Sequence, residues 1–225
     1  MDIVEIIRQR HSVRSYLEKS IEQEKVELLN AEVEKINKES GLHFQFVVNE
    51  PEAFRSSILS YGKFKNANNY FALVGNLKDE MLDEKVGYYG ERLVLKAQEL
   101  GLNTCWVALT YNKKKARIKV DSQEKVVCVV SVGYGETQGV QHKNKSVDKV
   151  CDLKADDPEW FKRGVEMALL APTAINQQKF FIEKNDNEVL ITAGIGPCSK
   201  IDLGIVKYHF EMGAGKENFV WKNAK

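Results

Sequence analysis

The run Val126-Val127-Cys128-Val129-Val130-Ser131-Val132 limits most severely what this chain can fold into. It is apolar without alternation and rich in β-branched residues, so it reads as a strand buried on both faces rather than as an amphipathic helix. A strand of that kind sits at the centre of a sheet.

The segments around it supply the remaining layers. Asp2 and Glu5 make a capping-box pattern, and Ile3, Ile6 and Ile7 share a face, predicting a short helix that ends near Arg8. Ser20, with Gln23 three residues on, marks a second helix carried by Val26, Leu29, Val33 and Ile36 and stopped by Gly41. Phe44, Phe46 and Val48 alternate as a strand does, and residues 70–75 read as another. Val86, Tyr89, Leu93, Ala97 and Leu100 stripe a helix over 82–100 that Gly101 ends, after which GLNTCWVAL turns back towards a strand.

Beyond the central strand, GYGETQGVQHKNKS is polar, glycine-rich and basic, and residues 152–158 are acidic. This shift places a boundary between a first half, 1–150, and a shorter second half, 151–225. The second half reads as a helix from Pro158 to Ala171 broken by Pro172, then a hairpin of 179–183 and 188–193 around Asn185-Asp186-Asn187. A last helix over 200–212 and an aromatic tail follow. The halves share a loose order of helix, polar loop, strand and a later helix ending at Gly101 or Gly213, a degenerate repeat at best.

With 225 residues and 43% hydrophobic content the chain can bury a sizeable core. Its 33 basic and 32 acidic residues leave no excess charge to gather nucleic acid or anionic membrane. Cys105, Cys128, Cys151 and Cys198 are widely spaced, with no metal-ligand pattern with the histidines, and read as thiols in a reducing compartment. No export signal or apolar stretch of membrane-spanning length is visible, so the expected location is the cytoplasm, with no metal, nucleic-acid or membrane partner.

Four constellations carry possible chemistry. In an extended Arg10-His11-Ser12-Val13-Arg14, residues two apart share a side, so Arg10, Ser12 and Arg14 face one way. Two guanidinium forks and a hydroxyl match a phosphate monoester, although a solvated basic loop has the same spacing. Pro172, Thr173, Asn176 and Gln178 follow a helix end and offer fixed donors and acceptors to a planar heterocycle, or simply form a turn. Thr104, Cys105, Trp106 and Val107 lie where a helix returns into a strand; their backbone N–H groups could face a ligand, while the Cys105 and Trp106 side chains read as core. Lys143 and Lys145, beside His142, can reach one anion together or stay solvated.

Together these segments resemble the FMN-dependent nitroreductase family over nearly the whole chain. DIVEIIRQRHSVRSY is similar to its opening helix and Arg-x-Ser-x-Arg loop, and LLAPTAINQQKFF to its Ala-Pro-Ser-x-x-Asn-x-Gln-Pro segment. ELGLNTCW is similar to its Gly-Leu-Gly-Thr-x-Trp turn, and VGYGETQGVQHKNKSVDKV to its closing basic stretch. The resemblance implies an α+β fold, a mixed α/β sandwich whose mainly antiparallel sheet is flanked by helices, in two pseudo-symmetric halves. It implies FMN, with Arg10, Ser12, Arg14, Lys143 and Lys145 on the phosphate and the N1/O2 side and His11 in the same loop. Pro172, Thr173 and Asn176, with Gln178 closing their segment, would meet the ring and ribityl chain, and backbone from Thr104 to Val107 would lie beside N5.

The pattern departs from the family where residues 30–41 fail to match the Ala-Pro-Ser segment, which instead occupies 171–178. Ordinary members supply that segment from a partner subunit, so the resemblance implies a dimer compressed into one polypeptide, with one FMN and a monomer sufficient for binding. His11 replaces a frequent arginine and Lys179 a frequent proline. The expected activity is two-electron transfer from NADH or NADPH through FMN to a small acceptor such as a nitroaromatic or quinone. Arg14 would stabilise charge near N1/O2, and no catalytic side chain is required. A sensor or storage protein that binds FMN without turnover is the alternative. A dinucleotide-binding dehydrogenase is disfavoured because Gly133, Gly135 and Gly139 are spaced one residue too long and no helical stripe follows.

Overall fold

The computed structural model describes residues 2–55 and 64–222. The valine-rich run lies in the strand β4 (Glu124–Gly133), inside a four-stranded sheet ordered β1-β2-β4-β3 with β1 (Gln45–Val47), β2 (Tyr70–Asn76) and β3 (Asn103–Val107). All neighbours are antiparallel. β4 is paired on both edges and buried from Cys128 to Gly133, which permits apolar residues in succession. A bulge interrupts its pairing with β2: Leu73 pairs with Cys128 and Val74 with Val126, leaving Val127 over.

The chain forms two compact units that interleave along the sequence. One comprises Gln9–Leu82 and Arg92–Gln141 and contains this sheet with helix α2 (Gln23–Ser40). The other comprises Met1–Arg8, Asp83–Glu91 and His142–Lys225. The composition break near residue 150 is thus a different division from the one made by packing. Helix α3 (Leu82–Glu99) contributes to both units, for a physical reason. Arg92 is tied to Glu32 and Glu39 of α2 within the first unit. Within the second, a Cβ on Gly87 would stand 2.0 Å from the Ile201 carbonyl oxygen, and one on Gly204 1.9 Å from that of Glu84. Only glycines let α3 and α5 (Ser199–Ala214) approach this closely.

Helix boundaries follow the expected stops. Gly41 caps α2 at φ 71° and Gly101 follows α3 at φ 74°. The start of α2 differs: it begins at Gln23 after Glu22, without a side-chain cap, rather than at Ser20. The first strand is also shorter than the alternation of Phe44, Phe46 and Val48 predicts.

The second unit packs the short helix α1 (Ile3–Gln9) through Ile6 and Ile7, and the helix α4 (Glu159–Leu169) starts directly after Pro158. Strands β5 (Phe180–Asn185) and β6 (Glu188–Ala193) form the expected hairpin, turning at Asp186 with φ 53°, and β7 (Val220–Trp221) pairs with β6 in parallel. The aromatic tail closes this unit's core, with Phe219 and Trp221 packed against Phe210 of α5. The fold is α+β with an antiparallel sheet, as expected. Among the described residues no helix is long and apolar enough to cross a membrane.

Candidate functional site

In the first unit, residues 10–14 leave α1 in extended form and lie along β3. Ser12 bridges Thr104 in parallel sense, and the Val13 N–H donates to the Thr104 carbonyl at 3.0 Å. The buried Tyr16 hydroxyl secures this segment from behind, donating to the Val13 carbonyl at 2.8 Å and lying 2.7 Å from Ser131 Oγ; burial drives its pKa upward. Lys65 N–H donates to the Arg14 carbonyl at 3.0 Å and Glu136 N–H to the Ser15 carbonyl at 2.9 Å. Gly139, at φ 76°, lies so near that a Cβ would stand 2.8 Å from His11 Cβ. The glycine-rich turn therefore braces the loop and does not lead into a helix, which removes the dinucleotide reading.

The side chains converge on Cys105. Ser12 hydrogen-bonds its thiol, and Arg14 and Arg10 both act on it; burial pushes the thiol pKa up, against the lowering pull of these three residues. Arg10, Ser12 and Arg14 lie at different depths: Arg10 is only 3% exposed, while Ser12 and Arg14 are open to solvent. His11 is half-buried and Val13 lies in the core. Thr104, Cys105 and Val107 are buried and Trp106 half-buried, while β3 is paired along β4 from Asn103 to Val107. The Thr104 carbonyl is already engaged by Val13. Two guanidinium groups and a hydroxyl that all act on the Cys105 thiol are a donor set chemically suited to a phosphate.

In the second unit, Gln178 is 1% exposed and joins the two other predicted segments. Its Nε2 donates to the Lys143 carbonyl at 2.8 Å and to Asn176 Oδ1 at 2.8 Å, and its Oε1 accepts from the Lys145 N–H at 2.9 Å. Its backbone carbonyl accepts from Lys145 Nζ at 3.0 Å, and its backbone N–H donates to Thr173 Oγ1 at 3.0 Å. Asn176 Nδ2 donates to the Lys143 carbonyl at 2.9 Å. The amides of Asn176 and Gln178 and the ammonium of Lys145 thus hold protein backbone, whereas Lys143 extends into solvent. Pro172 and Thr173 are half-buried, and His142 Nε2 lies 3.0 Å from the Leu169 carbonyl.

This loop holds an unusual backbone. Ile175, Asn176 and Gln178 have φ of 49°, 54° and 42°, a region that costs an L-residue about 1–2 kcal/mol and is worst for a β-branched side chain. Asp202 on α5 holds it there. Its Oδ1 and Oδ2 accept the Ala174 N–H at 3.0 and 3.2 Å, and Oδ2 accepts Gln177 Nε2 at 2.6 Å. Gln177 also donates to the Pro197 carbonyl at 2.8 Å. Burial pushes the Asp202 carboxyl up to about 6, against the lowering pull of Gln177 and Ala174. Sequence reasoning missed Asp202 and Gln177, because an acid in a helix's first turn is ordinary and only its burial marks it.

Elsewhere in the first unit, Tyr16, Lys19, Asn49, Phe54, Arg55 and Asn68 help line a cavity of about 410 Å³, whose lining does not include Arg10, Ser12 or Arg14. His43, Asp121 and Glu124 bring potential metal-ligand atoms within 4.8 Å of one another, two of them through a direct 2.8 Å contact of His43 Nδ1 with Glu124 Oε2.

Residues 2–214 match the family model described as "Putative TM nitroreductase". A Thermotoga maritima structure described as a "putative nitroreductase" is similar at 23% identity and a TM-score of 0.68, over 96% of this chain and 85% of that one. A Bacteroides thetaiotaomicron structure described as a "Putative NADH dehydrogenase/NAD(P)H nitroreductase" has 20% identity and a TM-score of 0.53, over 66% of this chain and 95% of that one. These likenesses concern the fold. No curated protein sequence matches the chain significantly.

Proposed function

The chain belongs to the nitroreductase family whose model spans residues 2–214, and from that premise we propose that it is an FMN-dependent oxidoreductase. The observation carrying this reading is the convergence of Arg10, Ser12 and Arg14 beside Thr104 and Cys105. When bound, FMN supplies two-electron chemistry at N5, using NADH or NADPH as donor and a nitroaromatic, quinone or similar small acceptor.

Arg10 gives the phosphate a buried, fixed charge, and Arg14 and Ser12 give it accessible donors. Tyr16, Ser131 and the β3 edge keep these donors in place, so little ordering is needed at binding. Pro172 and Thr173 are assigned to the ring and ribityl chain. Asn176, Gln178, Lys143 and Lys145 act as one stitched segment, in which Gln178 fixes the backbone and Lys143 offers a cation. We assign the single polypeptide to act as a monomer in the cytoplasm.

Purified protein should take up FMN at micromolar concentration, show the flavin spectrum, bleach anaerobically with NADH or NADPH, and recover colour when an acceptor is added. Failure to take up FMN refutes the cofactor assignment. Binding without bleaching by either nicotinamide refutes the enzyme assignment and leaves a flavin-binding sensor or storage protein.

A further inference from the structure

The Thr173–Gln178 loop has a device of its own, lying wholly within one compact unit. Three of its residues adopt left-handed backbone, which persists only where the surroundings over-determine it. Gln178 anchors its far end, while its near end depends on Asp202, whose side chain is 6% exposed and receives donors on both oxygens. An ionised carboxylate is acceptor-only and suits two such donors. A proton on Oδ2 would collide with the Gln177 amide, and one on Oδ1 would weaken the bond from Ala174. Either proton weakens one of the two tethers.

We propose that Asp202 is the positioning residue of this loop, and that its ionised carboxylate, by holding Ala174 and Gln177, sets how tightly the loop retains flavin. The proposal rests on the FMN reading above. The raised carboxyl, near 6, places the weakening within a mildly acidic range. The groups acting on it are the Gln177 amide and the Ala174 N–H; its titratable neighbours are Cys198, whose thiol is raised by burial, by Asp202 and by Asp83 of α3. Cys198 remains a thiol across that range, so of these two groups it is Asp202 that changes charge.

A merely structural role predicts the opposite response to acid. An acid whose folded pKa lies above its unfolded value favours folding when protonated, so acidification should raise this residue's contribution to stability while loosening the loop. The experiment follows FMN affinity by fluorescence quenching from about pH 8 to about pH 5, with hydrogen exchange at Ala174, in wild type and Asp202→Asn. Wild type should lose about tenfold more affinity across that range than Asp202→Asn, the equivalent of one weakened charged hydrogen bond. Asp202→Asn should be about tenfold weaker already at the alkaline end and keep only the pH dependence of the FMN phosphate itself, whose second ionisation lies at about 6, with faster exchange at Ala174. Asp202→Glu, which restores the charge, should recover part of the affinity.

Equal FMN affinity in wild type and Asp202→Asn at every pH overturns the proposal and leaves the FMN reading intact. If neither protein binds FMN, the cofactor reading and the flavin half of the proposal fail together. Exchange at Ala174 then decides the tether alone, and equal rates in both proteins overturn that as well.

Discussion

Replacing His209 with phenylalanine should destabilise the second unit by about 3–5 kcal/mol, the usual consequence of breaking a buried ionisable pair from one side. His209 on α5 and Glu91 on α3 are both fully buried, with Nε2 2.9 Å from Glu91 Oε1. His209 Nδ1 lies 3.1 Å from the Met167 carbonyl. A carbonyl only accepts, so Nδ1 carries a hydrogen and Nε2 meets the carboxyl group across one further proton. Phenylalanine fills much of the ring's volume but leaves Glu91 without its imidazole partner and Met167 without this donor. At about 2–4 °C per kcal/mol for a chain of this length, the melting temperature should fall by roughly 6–20 °C. The double variant His209→Phe/Glu91→Leu removes both polar groups and should regain most of the loss, giving a coupling energy above about 2 kcal/mol. Urea unfolding monitored by tryptophan emission suits the measurement, since Trp160 and Trp221 belong to this unit. A loss below about 1 kcal/mol for His209→Phe, or a double variant that loses the sum of the two single effects, would refute the reasoning.

Other substitutions separate packing from binding. Gly204→Ala drives a methyl group to 1.9 Å from the Glu84 carbonyl oxygen and 2.6 Å from the Tyr88 nitrogen, both backbone atoms. It should cost about 1–3 kcal/mol or more in a denaturant melt. Arg14→Gln alters an exposed residue, so stability should change by less than about 0.5 kcal/mol while FMN affinity, read by equilibrium dialysis, falls about tenfold or more. Gln178→Ala leaves the Lys143 carbonyl and the Lys145 N–H without this partner and should cost about 1–3 kcal/mol, with faster hydrogen exchange at Lys145. For Asp202, the carboxyl shifts from 3.8 to about 6 on folding, so the folded chain binds this proton more tightly than the unfolded chain. Its contribution is full below the unfolded value and is lost as pH rises through about 6, amounting to at most roughly 3 kcal/mol. The stability of wild type relative to Asp202→Asn, measured by thermal melts, should therefore fall with rising pH over that window; a rising or flat difference would count against it.

The arginine loop was legible because its information is short-range. Residues two apart on extended backbone share a side whatever lies beneath them, and Arg10, Ser12 and Arg14 all act on the Cys105 thiol. Their difference in depth was not legible, because it depends on β3 and Tyr16 packing behind the loop. Asn176 and Gln178 stand out in the sequence as donors for a heterocycle, yet the groups they hold in the fold belong to Lys143 and Lys145, more than a helix away in the chain.

Local pattern alone sufficed for the doubly buried strand, the glycine helix stops and the hairpin at Asp186, since each follows from the backbone preferences or burial of consecutive residues. Packing decided the rest. The interleaved units, the glycine contact of α3 with α5, the pairing of His209 with Glu91, 118 residues apart, and the hold of Asp202 on Ala174, 28 residues away, arise between distant segments. The physical reason is that a buried polar atom must find a partner wherever the fold delivers one, and that partner has no fixed spacing along the chain.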